Sequence, residues 1–134
     1  MTRKTARLPK PTPAELDLLR VIWQLGPSTV KEVHQARQPE RPDLVYATVL
    51  RLMQVMHGKG LLSRDESQRS HVYAAAHAQD ALQTNLLKDL IHKAFAGSGK
   101  DLVLAALDQH VTDREREEIR RLLQDTDSKG GRDD

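Results

Sequence analysis

The sequence predicts a mainly α-helical fold with one small β-hairpin. Three observations carry that expectation. Capping boxes of the form Thr-x-x-Glu open three apolar-periodic segments, at Thr12–Glu15, Thr29–Glu32 and Thr112–Glu115. Apolar residues recur at helical spacing through most of the chain. Only one stretch, "LLSRDESQRSHVYAA", breaks that period into two short alternating runs around a polar turn.

The first helix starts at "TPAE", with Pro13 at its first position, and sets Leu16, Leu19, Ile22 and Trp23 on one face. Gly26 and Pro27 end it. A shorter helix follows from "TVKE", with Val30, Val33 and Ala36, and fades into a loop at "RQPERPD". A third helix is expected from near Leu44, with Val45, Val49, Leu52, Met53 and Met56 on its apolar face. "HGKG" stops it, a glycine being suited to the left-handed position past a helix end. Three helices and a hairpin in this order predict a winged helix-turn-helix domain over residues 12 to 78.

Residues 79 to 125 read as a three-helix dimerisation region. Leu82, Leu86, Leu90 and Ala94 form a stripe widened by Leu87, Ile91 and Phe95. "KDLVLAALDQH" is apolar on most sides, and Ile119, Leu122 and Leu123 follow the last capping box. Three short helices offer too little core for an independent domain. A second copy of the chain is therefore the expected partner, and Leu82, Leu86, Leu90, Ile91, Phe95, Leu102, Leu104, Ile119, Leu122 and Leu123 its expected interface. Folding of these helices back onto residues 12 to 75 is the competing solution. Residues 1 to 11 read as a basic flexible arm and 126 to 134 as a disordered tail.

Composition narrows the function. There is no cysteine among the 134 residues, which excludes disulfides and thiolate metal sites. No apolar run approaches the roughly 20 residues that span a bilayer, and a cytoplasmic protein is the expectation. The net charge of +2 is uneven. Residues 1 to 78 hold 12 Lys and Arg against 7 Asp and Glu, a balance of +5; residues 79 to 134 hold 9 against 12, a balance of −3. A basic front end points to nucleic acid, although ordinary surface can carry as much.

The third helix has a second face. Ala47 and Thr48 are short residues near its start, and Arg51 and Gln54 follow at helical spacing, with Tyr46 at the entrance. An arginine there suits bidentate contact with guanine, and short neighbours permit close approach. Arg69, Ser70 and His71 at the hairpin tip, with Arg64 on the incoming strand, suit phosphate contacts. Each group also reads as plain solvated surface. "AFAGSGKD" only superficially resembles a phosphate-binding loop, since Ala94 and Asp101 stand at required Gly and Ser/Thr positions. The six histidines form no helical metal-ligand pair, and no nucleophile and base can be matched, so no cofactor, metal site or enzymatic activity is expected.

Taken together, "TPAELDLLRVIWQLGPSTVKEV", "YATVLRLMQVMHGKGLLSRDESQRSHVY", "LLKDLIHKAFAGSGKDLVLAAL" and "TDREREEIRRLL" resemble the BlaI/MecI/CopY, or penicillinase-repressor, family. The resemblance spans about Leu8 to Leu123. It implies a winged helix, a helical dimerisation region and a homodimer repressing transcription at a palindromic operator of double-stranded DNA. It also implies that the third helix enters the major groove, with Ala47, Thr48 and Arg51 in contact. Val55 stands where many members have arginine, and the paired cysteines of copper-sensing members are absent. β-Lactam-responsive members are cut by a membrane metalloprotease partner; the matching place is Ala105 and Ala106, which differ from the Asn-Phe bond of that pattern. Two other readings stand beside this one: a winged helix that binds protein, and a metal-responsive regulator using histidines.

Overall fold

The computed structural model describes the backbone of residues 8 to 130 and side chains through Thr126. Arg3, Lys4 and Arg7 of the expected arm lie outside the described residues. Six helices and one hairpin follow in order: α1 (Pro13–Leu25), α2 (Val30–Arg37), α3 (Tyr46–Lys59), β1 (Leu62–Asp65), β2 (Val72–Ala75), α4 (Gln79–Ala94), α5 (Gly99–Gln109) and α6 (Asp113–Gly130). The expected mainly helical architecture with one antiparallel hairpin is the observed one.

All three capping boxes form. Thr12 and Glu15 exchange hydrogen bonds of 2.9 and 3.2 Å, Thr29 and Glu32 of 2.9 and 3.2 Å, and Thr112 and Glu115 of 3.0 and 3.1 Å. Each pair satisfies two amides that a helix start would otherwise leave without partners. Gly60 closes α3 with φ of 88°, a left-handed conformation that glycine enters without a Cβ clash. Ser98 caps α5 through the Asp101 amide, so "AGSGKD" is a helix end followed by a helix start.

One core organises the chain up to Leu86. Leu18, Leu19 and Ile22 from α1, Val30 and Val33 from α2, and Val49, Met53 and Met56 from α3 are buried together with Leu61, Leu62 and Tyr73 of the hairpin segment. The hairpin pairs Leu62 with Ala75 and Asp65 with Val72. Its second strand also holds the α1–α2 loop, because Ser28 and Tyr73 exchange two backbone hydrogen bonds of 2.8 Å. The wing is thereby fixed to the helices behind it.

Four expectations change. Val45 is 57% exposed and is the N-cap of α3 rather than part of its buried stripe, because the helix begins at Tyr46. Leu8, expected in the flexible arm, packs against the core. Leu82 is 1% exposed within this same core, so it has no surface to offer a second subunit. That anchorage carries the first turns of α4 with it, and the chain divides into two compact units between Leu86 and Leu87. Finally, α6 runs to Gly130, past the point where a disordered tail was expected to begin; residues 131 to 134 lie outside the described residues.

The second unit, from Leu87, is different in kind. Among the described residues no side chain after Leu82 is buried. Its α4–α5 turn places Ala96 at φ 50° and Gly97 at φ 85°. Arg116 of α6 donates to the Leu107 carbonyl at 2.7 Å and so closes the end of α5.

In the first unit, the Glu15 carboxylate is buried and accepts from Lys59 Nζ at 2.6 Å. Burial works to raise its pKa, but the hydrogen bonds from Lys59 and Thr12 outweigh it and hold the carboxyl below its ordinary 4.5. A depressed folded-state pKa contributes stability that is fully present above about 4.5 and is lost as pH falls through the lower folded value. Replacing Lys59 leaves the carboxylate without its cation. Lys59→Met is therefore expected to cost about 1–3 kcal/mol at pH 7 and progressively less in acid, as Glu15 takes up a proton. Urea unfolding at pH 7 and pH 3 checks this; an equal cost at both would assign Lys59 a packing role only.

Candidate nucleic-acid interface

With Val49, Met53 and Met56 all at 0% exposure, the orientation of α3 about its axis is set. At about 3.6 residues per turn, Ala47, Arg51 and Gly58 then lie opposite the buried stripe, flanked by Gln54 and Val55. Ala47, Arg51, Gln54 and Val55 are accordingly exposed. No side chain caps the start of α3.

The expected contact residues separate into two places. Tyr46 and Gln54 meet Arg69, Ser70 and His71 around one cleft of about 220 Å³ between α2, α3 and the wing. Thr48 instead faces the α1 side, in a smaller cleft with Asp17, Arg41 and Leu52. Ala47 and Arg51 stand on the outer face of the same helix. The structure thus brings the wing tip to one flank of α3 and leaves Thr48 half-buried on the other.

The wing's acids are engaged locally. Glu66 is bound by Arg64, with the Nε contact at 2.6 Å, and this guanidinium holds the Glu66 carboxyl below its usual value. Asp65 accepts the Ser67 amide at 2.9 Å, closing the turn, and that bond lowers its pKa in the same way. Arg64 also lies over the Tyr73 ring, 5.9 Å from its centroid. Its contact with Tyr73, then with Glu66, raises its pKa. Arg64 is therefore an internal tie of the hairpin. Arg37 is held by Asp17 and Glu40, and Arg41 by Asp43. Among the described residues Arg51, Arg69 and Lys31 have no ion-pair partner, and all three are exposed.

Lys31 is the residue that sequence reasoning missed. It lines the wing cleft beside Arg69 and His71. A signal for it exists. It sits in the first turn of α2, where the helix dipole disfavours a cation, and it makes no ion pair among the described residues. A charge placed against its local electrostatics is a candidate for an external partner.

Among the described residues, no three His, Cys, Asp or Glu side chains gather closely enough to hold a metal ion. No helix among them is long and apolar enough to cross a membrane.

Two capped helices, a third with one face buried and one presented, and a hairpin with Arg69 at its tip make a winged helix-turn-helix. The comparisons with known proteins agree. Residues 11–125 match the family described as "Penicillinase repressor". Over 111 residues the chain is 30% identical to the "Transcriptional regulator BlaI" of Mycobacterium tuberculosis strain CDC 1551 / Oshkosh, covering 82% of this chain and 80% of that one. The same figures hold for the protein of that name in strain ATCC 25618 / H37Rv. The chain belongs to the penicillinase repressor family and is, at that level, a transcriptional repressor.

Lys31 and Arg69 are suited to backbone phosphates, which carry no sequence information. Lys31→Ala is expected to weaken binding to any duplex to the same degree and to reduce the slope of log affinity against log salt by about 1. Titrations of two unrelated duplexes at several salt concentrations measure it. An unchanged slope removes Lys31 from the interface.

Proposed function

We propose that the protein represses transcription as a homodimer that binds an inverted-repeat operator in double-stranded DNA. In this reading α3 lies in the major groove with Ala47, Arg51 and Gln54 toward base edges, and Tyr46 and Thr48 border the contact. Arg69, Ser70 and His71 hold the adjacent backbone. The observation that carries the reading role is the outer face of α3: Arg51 is exposed, without an ion-pair partner among the described residues, on a helix whose other face is locked in the core.

The dimer is supported by a second observation. The unit from Leu87 buries no side chain among its described residues, yet exposes Leu87, Leu90, Val103, Leu104, Leu122 and Leu123 at 45% to 63%. Apolar surface on this scale, in helices with no core of their own, calls for a second copy. Leu86, Ile91, Phe95, Leu102 and Ile119, half-buried already, extend the same interface. Leu82 is not part of it. Coupling two half-site contacts through this unit is what raises two weak contacts to useful affinity. A signal acting on the C-terminal helices therefore releases the operator without altering α3. Proteolysis near Ala105 and Ala106 by a membrane-bound partner is one such signal. The protein acts where its DNA is, in the cytoplasm.

Arg51→Ala is expected to cost about 1–3 kcal/mol on the specific site and to relax base preference there, with little effect on unrelated DNA. Gel-shift titration on both duplexes decides, and unchanged operator affinity removes Arg51 from the reading role. Leu90→Asp or Leu104→Asp is expected to give monomers in sedimentation, because each places an unpaired charge in the interface. Dimers that persist in both variants would place the interface elsewhere.

A further inference from the structure

The recognition helix does not cap itself. Val45, its N-cap, has no side chain able to accept from the first amides, and its carbonyl accepts from the Thr48 and Val49 amides at 3.1 and 3.2 Å. The carbonyl just before it, of Leu44, takes no part in that ladder. Two side chains from α2 and its end reach it instead. Gln38 Nε2 donates to Leu44 O at 3.0 Å, and His34 Nε2 lies 2.9 Å from the same oxygen. Gln38 Nε2 also stands 3.0 Å from His34 Nε2, so the amide, the ring nitrogen and the carbonyl form one hydrogen-bonded cluster. The His34 ring also meets Tyr46, the first residue of α3, edge to face at 5.9 Å. Behind them, α2 is fastened to α1 by Arg37 Nε on Asp17 at 3.0 Å.

We propose that His34 and Gln38 are positioning residues for DNA reading: they clamp the Leu44 carbonyl and thereby fix where α3 begins and how its first turn stands. The proposal rests on α3 being the reading helix, as proposed above. The segment from Gln38 to Val45 contains Pro39 and Pro42, and its end is anchored by Leu44, whose side chain is buried in the core; the clamp fixes the carbonyl of that same residue. Ala47 lies in the first turn that follows and Arg51 one turn further on. Base-edge hydrogen bonds demand defined placement, whereas phosphate contacts tolerate small shifts. Loosening the clamp should therefore reduce discrimination between sequences before it reduces affinity for DNA in general.

The double variant His34→Phe with Gln38→Met tests this in the full chain. Phe keeps a ring against Tyr46 and Met keeps the side-chain length, but neither donates a hydrogen bond. The probes are a duplex selected by the parent chain from a random pool and a scrambled duplex of equal length. Expected is a loss of preference of about tenfold or more, with scrambled-duplex affinity and its salt slope unchanged. Faster amide hydrogen exchange at Thr48 and Val49, whose amides donate to the Val45 carbonyl, should accompany it in the free protein. His34→Gln, which keeps a donor, should retain the preference. A double variant that discriminates as well as the parent, with unchanged exchange, overturns the positioning role alone. Equal loss on both duplexes overturns it too, since that is general unfolding. A parent chain with no preference for any duplex overturns the reading of α3, and the proposal with it.

Discussion

Everything on the DNA-facing side depends on the burial of one stripe of α3. Val49, Met53 and Met56 have no exposed surface, and they are held between α1, α2 and the hairpin. Removing any of them would both forfeit the transfer free energy of its side chain and leave a cavity, at roughly 2–5 kcal/mol for Met53 or Met56 truncated to alanine. A helix held that firmly cannot rotate about its axis. Which residues are presented is then a consequence of which are buried. Ala47, Arg51 and Gln54 face outward because they occupy the positions that the stripe leaves over. The closing features serve the same end: Gly60 ends the helix, Lys59 ties its last turn to Glu15 of α1, and the Ser28–Tyr73 bridge keeps the wing beside it.

The electrostatics are arranged by subtraction. The basic front half has a balance of only +5, spread over many groups. Of its six described arginines, four are consumed within the fold: Arg20 and Arg37 by Asp17, Arg41 by Asp43 and Arg64 by Glu66. Exposed pairs of this sort add little stability. Their consequence is spatial. They neutralise Asp17, Asp43 and Glu66, and three cations of the front half that have no ion pair among the described residues, Lys31, Arg51 and Arg69, lie on α2, α3 and the wing tip. A modest net charge becomes a directed one, which is what steering toward a phosphate backbone needs.

Much of this was legible in the sequence, and the gaps have physical causes. Capping boxes are local, so Thr12, Thr29 and Thr112 announced their helices without reference to the rest of the chain. Periodicity identified Val49, Met53 and Met56 but also enrolled Val45, because a stripe does not reveal where its helix begins. Arg64 and Arg69 look equivalent in a polar hairpin; only the register, which sets Arg64 opposite Tyr73, shows that one is tied and the other is not. Leu82 continued the stripe of α4 perfectly well by spacing. Its partner turned out to be a core assembled from residues up to some sixty positions earlier, which no local pattern contains. The resemblance of the motifs to the penicillinase repressors carried the family, and the comparisons bear it out.

The contrast between the two units has a consequence for how such a protein can be regulated. The first unit encloses its own core and needs nothing else to keep α3 in place. The second exposes leucines along α4, α5 and α6 and encloses none of them. Under the proposed function such a unit gains its order from association, and its stability is then tied to protomer concentration. Operator affinity, which under the proposed function draws on both copies, inherits that dependence. A change confined to the second unit can therefore be small in structural terms and still large at the operator: it need only weaken the association, while the face bearing Ala47, Arg51 and Gln54 stays as it was. Separating the residues that read from the residues that couple makes an off-switch possible without unfolding the reading head.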